Sequence, residues 1–531
     1  MWILTLSLVT IVFFLIYRWL TSVNNYWRDK GIPFVKPVPI FGSMFPIVAG
    51  KKSFADLLEV QYAEIKASGK GYGGIYEFMT PTIMVVDPEI IRKVTVKDFE
   101  HFAERRTPDM ADDTDPLFHR SLVSLRSDEW KEMRNILSPA FTTSKLRGMF
   151  PLVSKCSREF AKSLEKYAES GEPVEMNKLF NRMANDVIGS VAFGHESRAI
   201  EDEKDEFFIM GQRLKNFSGL RYFIVVGYML FPKLMKLLGI SFTPKDISVY
   251  FRRLIIGTME MRDKFDLSRP DMLQLLMAAQ KGGIKREEGD EFDTGTVGED
   301  LNANSEHQRV FSAPKTDWNI RRNITDVDIA AQAFIFFLAG YDTVSSVLSF
   351  AAHLLACHPE VQEKLLAEIK IQNEVTYDSI RSMRYLDMIL SETLRLYPPA
   401  VFSDRKCTKN YNFPDSDFVM QKGQGIVFPI YALHRDPEYF ANPDKFDPER
   451  FNDENRSSIR PYTYLPFGSG PHNCIGMRFA LLEAKVCLVH LVENFELQVC
   501  SKTEIPLRLS TKTFQMITDN GFWLNLRPRG K

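Results

Sequence analysis

Apolar residues run without a charge from Trp2 to Tyr17 and continue through Trp19 and Leu20 beyond a single Arg18. About twenty such residues span a bilayer, and an arginine at the end can reach the interface. Arg18, Arg28 and Lys30 follow, which by the positive-inside rule puts the rest of the chain on the cytoplasmic side. No basic region precedes the stretch and no small-residue cleavage site follows it, so residues 1–20 read as a signal-anchor, not a cleaved leader. Residues 21–43 read as a linker with a proline-rich hinge, because Pro33, Pro37 and Pro39 make a stiff, extended connector. Phe54 to Ala67 has the pattern of a helix, and Gly74–Met79 and Thr82–Val86 are β-rich runs separated by Thr80-Pro81. From there to about residue 400 the pattern is mostly helical. One helix, capped by Thr325 with Asp328 three residues on, runs to Cys357 before Pro359. It is apolar nearly all round and is predicted to cross the protein interior. Lys281 to Lys315 is polar and aperiodic. Tyr222 to Phe231 is apolar, short, and followed by Lys233 and Lys236, a pattern suited to dipping into a bilayer surface.

The 531 residues are 45% hydrophobic and 25% charged, enough to bury a large core. A net charge of −1 gives no electrostatic basis for nucleic-acid binding. Six cysteines (Cys156, Cys357, Cys407, Cys474, Cys487, Cys500) lack a framework spacing, which fits a reducing compartment. Gly69, Gly71 and Gly74 match the dinucleotide string G-x-G-x-x-G, but they lie between a helix and a strand, the reverse of the order that fingerprint needs. No other nicotinamide or flavin fingerprint occurs, so electrons for any redox chemistry come from another protein.

Candidate chemistry centres on Cys474, in a glycine-rich loop just before the amphipathic run Met477–Glu483. Loop amides and a helix N-terminus favour a thiolate there, and a thiolate can ligate iron. Taken alone, Cys474 is as readily a buried structural cysteine. The spacing Phe467-x-x-Gly470-x-x-x-Cys474-x-Gly476 resembles the haem-ligand loop of the cytochrome P450 monooxygenases. Gly470 would allow a turn, Gly476 a close approach to the macrocycle, and Phe467 would shield the sulfur. His472 stands where the family usually has arginine. A histidine charged only below its pKa predicts haem retention that depends on pH between 6 and 8.

Further elements resemble the same family in its order. Ala339-Gly340-Tyr341-Asp342-Thr343 is similar to its oxygen-activation motif. Gly340 weakens the helix and Thr343 can bond the carbonyl four residues back, which predicts a loosened turn. The resemblance implies that Thr343 bonds the oxygen being activated and Asp342 helps deliver its proton. Glu392-x-x-Arg395 with Arg450 matches a structural triad supporting the haem loop. Trp130 and Arg134 are similar to a propionate-binding pair, and Arg405 falls where another propionate ligand is found. Likeness is nearest to insect microsomal members of the clan containing drug- and toxin-oxidising enzymes.

The resemblance implies a mainly α fold with small β-sheets, with residues 44–531 as one haem-thiolate catalytic domain. It implies haem b with an axial thiolate from Cys474. It implies an endoplasmic reticulum (microsomal) location, and as partners a membrane-bound NADPH-dependent diflavin reductase and cytochrome b5. Lys131, Arg134, Arg478 and Lys485 form the basic patch expected to meet the reductase. The Lys281–Lys315 stretch becomes a long surface loop. Substrate contacts are expected from Pro108–Leu125, Phe207–Phe217, Phe334–Thr343, Ala400–Phe402 and Thr511–Phe514. Lipophilic xenobiotics or endogenous lipids and hormones are the implied substrates. The alternatives are a haem-thiolate isomerase or dehydratase, which Asp342-Thr343 disfavours, and a non-catalytic haem-binding membrane protein.

Overall fold

The computed structural model describes residues 2–21, 24–107, 114–215, 220–282, 324–414 and 416–530. Apart from Lys281 and Gly282, the aperiodic Lys281–Lys315 stretch lies outside them, as do residues 108–113 and 216–217 of the expected recognition segments. Helices dominate, with small sheets at the periphery. The largest sheet has the strand order Tyr72–Glu77, Thr80–Val85, Gly425–Phe428, Ser403–Lys406. Its first and last pairs are antiparallel and its middle pair is parallel.

The Phe54–Ala67 helix has the predicted bounds, started by a capping box between Ser53 and Asp56. The first hairpin turns earlier than predicted. Phe78, at φ 54°, makes the turn, and Glu77 pairs with Thr80, so Thr80 and Pro81 belong to the second strand. Pro81 is tolerated because pairing to Gly425–Phe428 begins only at Thr82.

Asp326–Cys357 is a 32-residue helix, capped reciprocally by Thr325 and Asp328. It is long and apolar enough to cross a membrane but lies inside the protein. Met176–Ile188, Lys245–Phe265, Arg384–Leu396 and Met477–Asn494 pack around it. The expected loosening at Gly340 is not found: the helix is unbroken, and Gly340 packs directly on Ile188. The small residue serves helix–helix approach here.

Trp2–Thr21 is also helical, with Trp2, Leu6, Phe14 and Leu15 exposed. A second exposed apolar surface comprises Phe223, Phe231, Leu234 and Leu237, on and beside the helices Leu220–Leu230 and Pro232–Leu237. Val226 and Leu230 pack, like Phe41 and Ile47, against the buried cluster of Met44, Leu57 and Phe78.

Candidate active site

The loop before Met477–Asn494 is shaped by two glycines at positive φ, Gly468 at 75° and Gly470 at 70°. A side chain at Gly470 would collide with the Thr95 carbonyl, so glycine is needed there for space as well as for conformation. The Cys474 amide donates to the Phe467 carbonyl at 2.8 Å and closes the loop. Cys474 has exposed surface yet lies deep inside the protein, so that surface faces an internal cavity. Burial raises the thiol pKa; the Gly476 amide, Arg134 and Arg105 offset this only in part. The loop and helix terminus therefore do not make a thiolate unaided, contrary to expectation. A bound metal cation would deprotonate the sulfur. Gly476 meets only ordinary contact with Phe141, so no protein atom requires glycine at that position.

Three guanidinium groups converge on this loop. Arg134, on the Ser127–Leu137 helix, donates from Nη2 to Asn473 Oδ1 at 2.7 Å. Arg405, on the Ser403–Lys406 strand, reaches the Ser469 carbonyl at 3.3 Å. Arg105 donates to the His472 carbonyl at 2.8 Å. Arg134 and Arg405 make no ion pair among the described residues, and the buried Nε of each lacks an acceptor. Burial without a counter-ion brings them down to about 10 and about 9 respectively. Buried orphan donors of this kind call for a missing acceptor. A group carrying two carboxylates suits them, and the two propionates of a haem fit that donor set.

His472 does not provide the charge expected of it. Its ring lies 3.8 Å from that of Trp130 and 5.3 Å from that of Phe99, and Nε2 donates to the Ala103 carbonyl at 2.9 Å. Burial, then Arg405 and Arg105, push it down to about 2, so it is neutral throughout pH 6–8. The expected pH-dependent anchoring is overturned because the packing around this ring is invisible in the loop motif. Arg105, not identified from the sequence, places a permanent cation beside it.

The central helix meets the loop side through Phe336, which packs on Phe141 at 5.6 Å, with Phe141 beside Gly476. On the same face Ala339 and Thr343 are exposed in a helix otherwise almost wholly buried. Their surface therefore lines the interior cavity. Thr343 Oγ1 donates to the Ala339 carbonyl at 2.7 Å. Asp342 is held by an ion pair with Lys215 and by Gln515 Nε2 at 2.6 Å. Lys215 continues to Asn181 Oδ1 at 3.2 Å, which also accepts from Ser345 at 2.9 Å.

Behind the loop, Glu392 and Arg395 are fully buried and bonded bidentately at 2.7 and 2.8 Å, with Arg450 at 3.3 Å. His434, unremarked in the sequence, connects this triad to the loop. Its Nδ1 donates to the Arg395 carbonyl at 3.2 Å and its Nε2 accepts the Leu465 amide at 2.8 Å. Burial pushes His434 down to about 3.

The recognition segments divide. Phe207, Phe334 and Phe337 are core, packed with Phe193 and Phe251. Phe402 and Phe514 are half-buried and meet on the same ring, Phe54, at 5.4 and 5.5 Å. Of the basic patch, Lys485 is buried in an ion pair with Asp387 at 2.6 Å, Arg134 turns inward, and Lys131 pairs with Glu100 at 2.9 Å. Lys485 is thus withdrawn from any partner surface.

A cysteine loop, guanidinium Nε atoms without acceptors and the exposed Ala339–Thr343 face of the central helix suit a haem-thiolate site. The chain matches the family described as cytochrome P450 over residues 32–305 and 307–524 and belongs to that family of monooxygenases. It is similar to cytochrome P450 9e2 of Blattella germanica, 43% identical over 100% of this chain and 98% of the relative. It is 37% identical to probable cytochrome P450 9f2 of Drosophila melanogaster, over 98% and 99% of the two chains. With cytochrome P450 3A1 of Rattus norvegicus the identity is 35%, over 95% and 93%.

Two consequences are measurable. Glu392→Ala leaves Arg395 as a buried uncompensated charge, at a cost of about 3–5 kcal/mol; equilibrium denaturation should show that loss. His434 has a folded pKa of about 3 against 6.5 unfolded, so the unfolded chain binds more protons in between. Its contribution is full above about pH 6.5 and fades as pH falls toward 3. Melting temperature should therefore drop less steeply on acidification in His434→Gln than in the wild type.

Proposed function

We propose that Cys474 would ligate the iron of a haem b and that Trp130, Arg134, Arg405 and Arg105 would hold its propionates. The observation that carries this reading is the pair of guanidiniums beside the Cys474 loop, Arg134 and Arg405, each without an ion pair among the described residues and each with a buried Nε that lacks an acceptor. Phe467, Gly470 and Gly476 shape the sulfur's surroundings, His472 braces Trp130 as a neutral ring, and Ala339 and Gly340 of the central helix would adjoin the bound group. When bound, the haem supplies the iron that activates dioxygen. Arginines donate bidentately to carboxylates and so fix the orientation of a propionate-bearing plane. The Glu392, Arg395 and Arg450 triad, through His434, keeps the loop in register with that plane.

Thr343 donates to the Ala339 carbonyl and its side chain is exposed. Rotation about one bond lets it donate to an oxygen atom in the cavity instead. Asp342, a carboxylate paired with Lys215 and Gln515 beside it, helps deliver the proton that Thr343 passes on. General acid assistance of this kind contributes about 10²–10⁴-fold to rate. Phe54, Phe402 and Phe514 offer an aromatic wall suited to lipophilic molecules, xenobiotics such as plant toxins or insecticides, or endogenous lipids and hormones.

Electrons come from an NADPH-dependent diflavin reductase, with cytochrome b5 as a further partner. The Trp2–Thr21 helix anchors the chain once in the endoplasmic reticulum membrane, with the catalytic domain (residues 44–531) on the cytoplasmic side and the exposed Phe223–Leu237 surface toward the lipid. An isomerase or dehydratase is the alternative, and Asp342-Thr343 disfavours it. The test compares substrate oxidised and hydrogen peroxide released per NADPH consumed with reductase present. Thr343→Ala should keep its haem while diverting electrons to peroxide and lowering product by about 10²-fold. Unchanged coupling would remove Thr343 from proton delivery.

A further inference from the structure

Each oxygen of the Asp342 carboxylate is engaged by a different part of the chain. Lys215, at the end of the Glu206–Lys215 helix, pairs with Oδ1, and Gln515 Nε2 donates to Oδ2 at 2.6 Å. A carboxylate oxygen accepts, so the Gln515 side chain must turn its NH2 group toward it. Lys215 is itself steadied, 5.6 Å from the centre of the Tyr341 ring and 3.2 Å from Asn181 Oδ1. A contact between ammonium and carboxylate is stronger than a bond from a neutral amide. Of these two restraints on Asp342, Gln515 is therefore the one that yields more readily.

Gln515 sits at the tip of a closed loop. Leu509 and Thr518 face each other as an antiparallel bridge, and the Ser510 amide donates to the Ile517 carbonyl at 2.8 Å. Within the tip, the Gln515 backbone amide donates to Thr513 Oγ1 at 3.2 Å. The loop is fastened to the central helix one turn apart at two points. Gln515 reaches Asp342, and the Met516 carbonyl accepts from Ser346 Oγ at 2.9 Å. Phe514, the residue before Gln515, packs on Phe54 at 5.5 Å, and Phe402 meets the same ring at 5.4 Å. Adjacent residues of one tip thus touch the aromatic wall and the carboxylate beside Thr343.

We propose that Gln515 is a positioning residue for Asp342, and that through Phe514 it makes the orientation of that carboxylate depend on what fills the pocket. The proposal rests on the reading of Asp342 and Thr343 as the proton-delivering pair and of Phe54, Phe402 and Phe514 as the wall that substrate meets. A ligand lying against Phe514 displaces that ring. One peptide unit separates it from Gln515, so the displacement reaches the amide at Oδ2, while Lys215 keeps its hold on Oδ1. Efficient proton delivery then belongs to ligands that seat Phe514 well. Poorly seated ones divert electrons to peroxide.

The experiment uses the full-length protein with reductase, and ethoxycoumarin and testosterone as probes of different shape. In the wild type, a saturating probe should slow amide hydrogen exchange over residues 510–518. Gln515→Leu should keep its haem and bind both probes, by their absorption change, as the wild type does. Its product per NADPH should nonetheless fall about 10-fold, the scale of one hydrogen bond to a charged group. Phe514→Ala should lower that yield in the wild type and add nothing in the Gln515→Leu background, because the two residues act in series. Ser346→Ala, which removes the other fastening, should leave the yield unchanged. If leucine costs haem, Gln515→Met repeats the test with similar length and no donor. Unchanged yield in Gln515→Leu, an equal loss in Ser346→Ala, additive losses with Phe514→Ala, or exchange that ignores the probe would overturn the proposal. Should Thr343→Ala also keep its yield, the fault lies with the proton-delivery reading. Should Thr343→Ala uncouple while Gln515→Leu does not, it lies with Gln515 alone.

Discussion

The backbone between Leu465 and Cys474 is pinned from two sides, and everything attributed to the site depends on that pinning. Behind it, the buried Glu392–Arg395 pair fixes His434, whose ring accepts the Leu465 amide. In front, the Thr95 carbonyl occupies the space a side chain at Gly470 would need. Buried ion pairs rarely add much net stability, because the desolvation of both charges offsets their attraction. Their use here is positional: a misplaced partner leaves an uncompensated charge, so few alternative arrangements of the loop are tolerated. A sulfur that must meet a metal at one place needs such a frame.

On the cavity side the electrostatics are incomplete. Arg134 and Arg405 lie buried with orphan donors, and Cys474 is held protonated by burial. Cations short of acceptors and a buried thiol are complementary demands that an iron porphyrin with two carboxylates would meet together. Opposite them, Asp342 is tied to Lys215 and Gln515 and not directed freely at the cavity. Those two residues come from the Glu206–Lys215 helix and the C-terminal segment, so the carboxylate beside Thr343 is tied to two elements far from it in sequence.

Features set by local rules are legible in the sequence. The Phe54–Ala67 helix, the Thr325 cap and the glycines of the Cys474 loop follow from periodicity, capping and backbone sterics, all of which act over a few residues. What depends on distant packing is not. Arg105, Phe54 and His434 acquire their roles from neighbours far away in sequence and carry no local signal. The charge expected of His472 fails for the same reason: a ring buried against Trp130 among three guanidiniums cannot keep an ordinary pKa. Lys485 has the sequence context of a surface charge on an amphipathic helix, and only the fold brings Asp387 to it. Gly340 reads as a weak point along the chain and is a contact in space.

The most direct measurement is the absorption spectrum of the reduced, carbon-monoxide-bound protein, recorded for the wild type and for Cys474→Ser. A strongly red-shifted Soret band in the wild type that disappears in the variant is the predicted result. A wild type that takes up no haem, or a band at the same position once serine replaces Cys474, would contradict sulfur ligation and the function built on it.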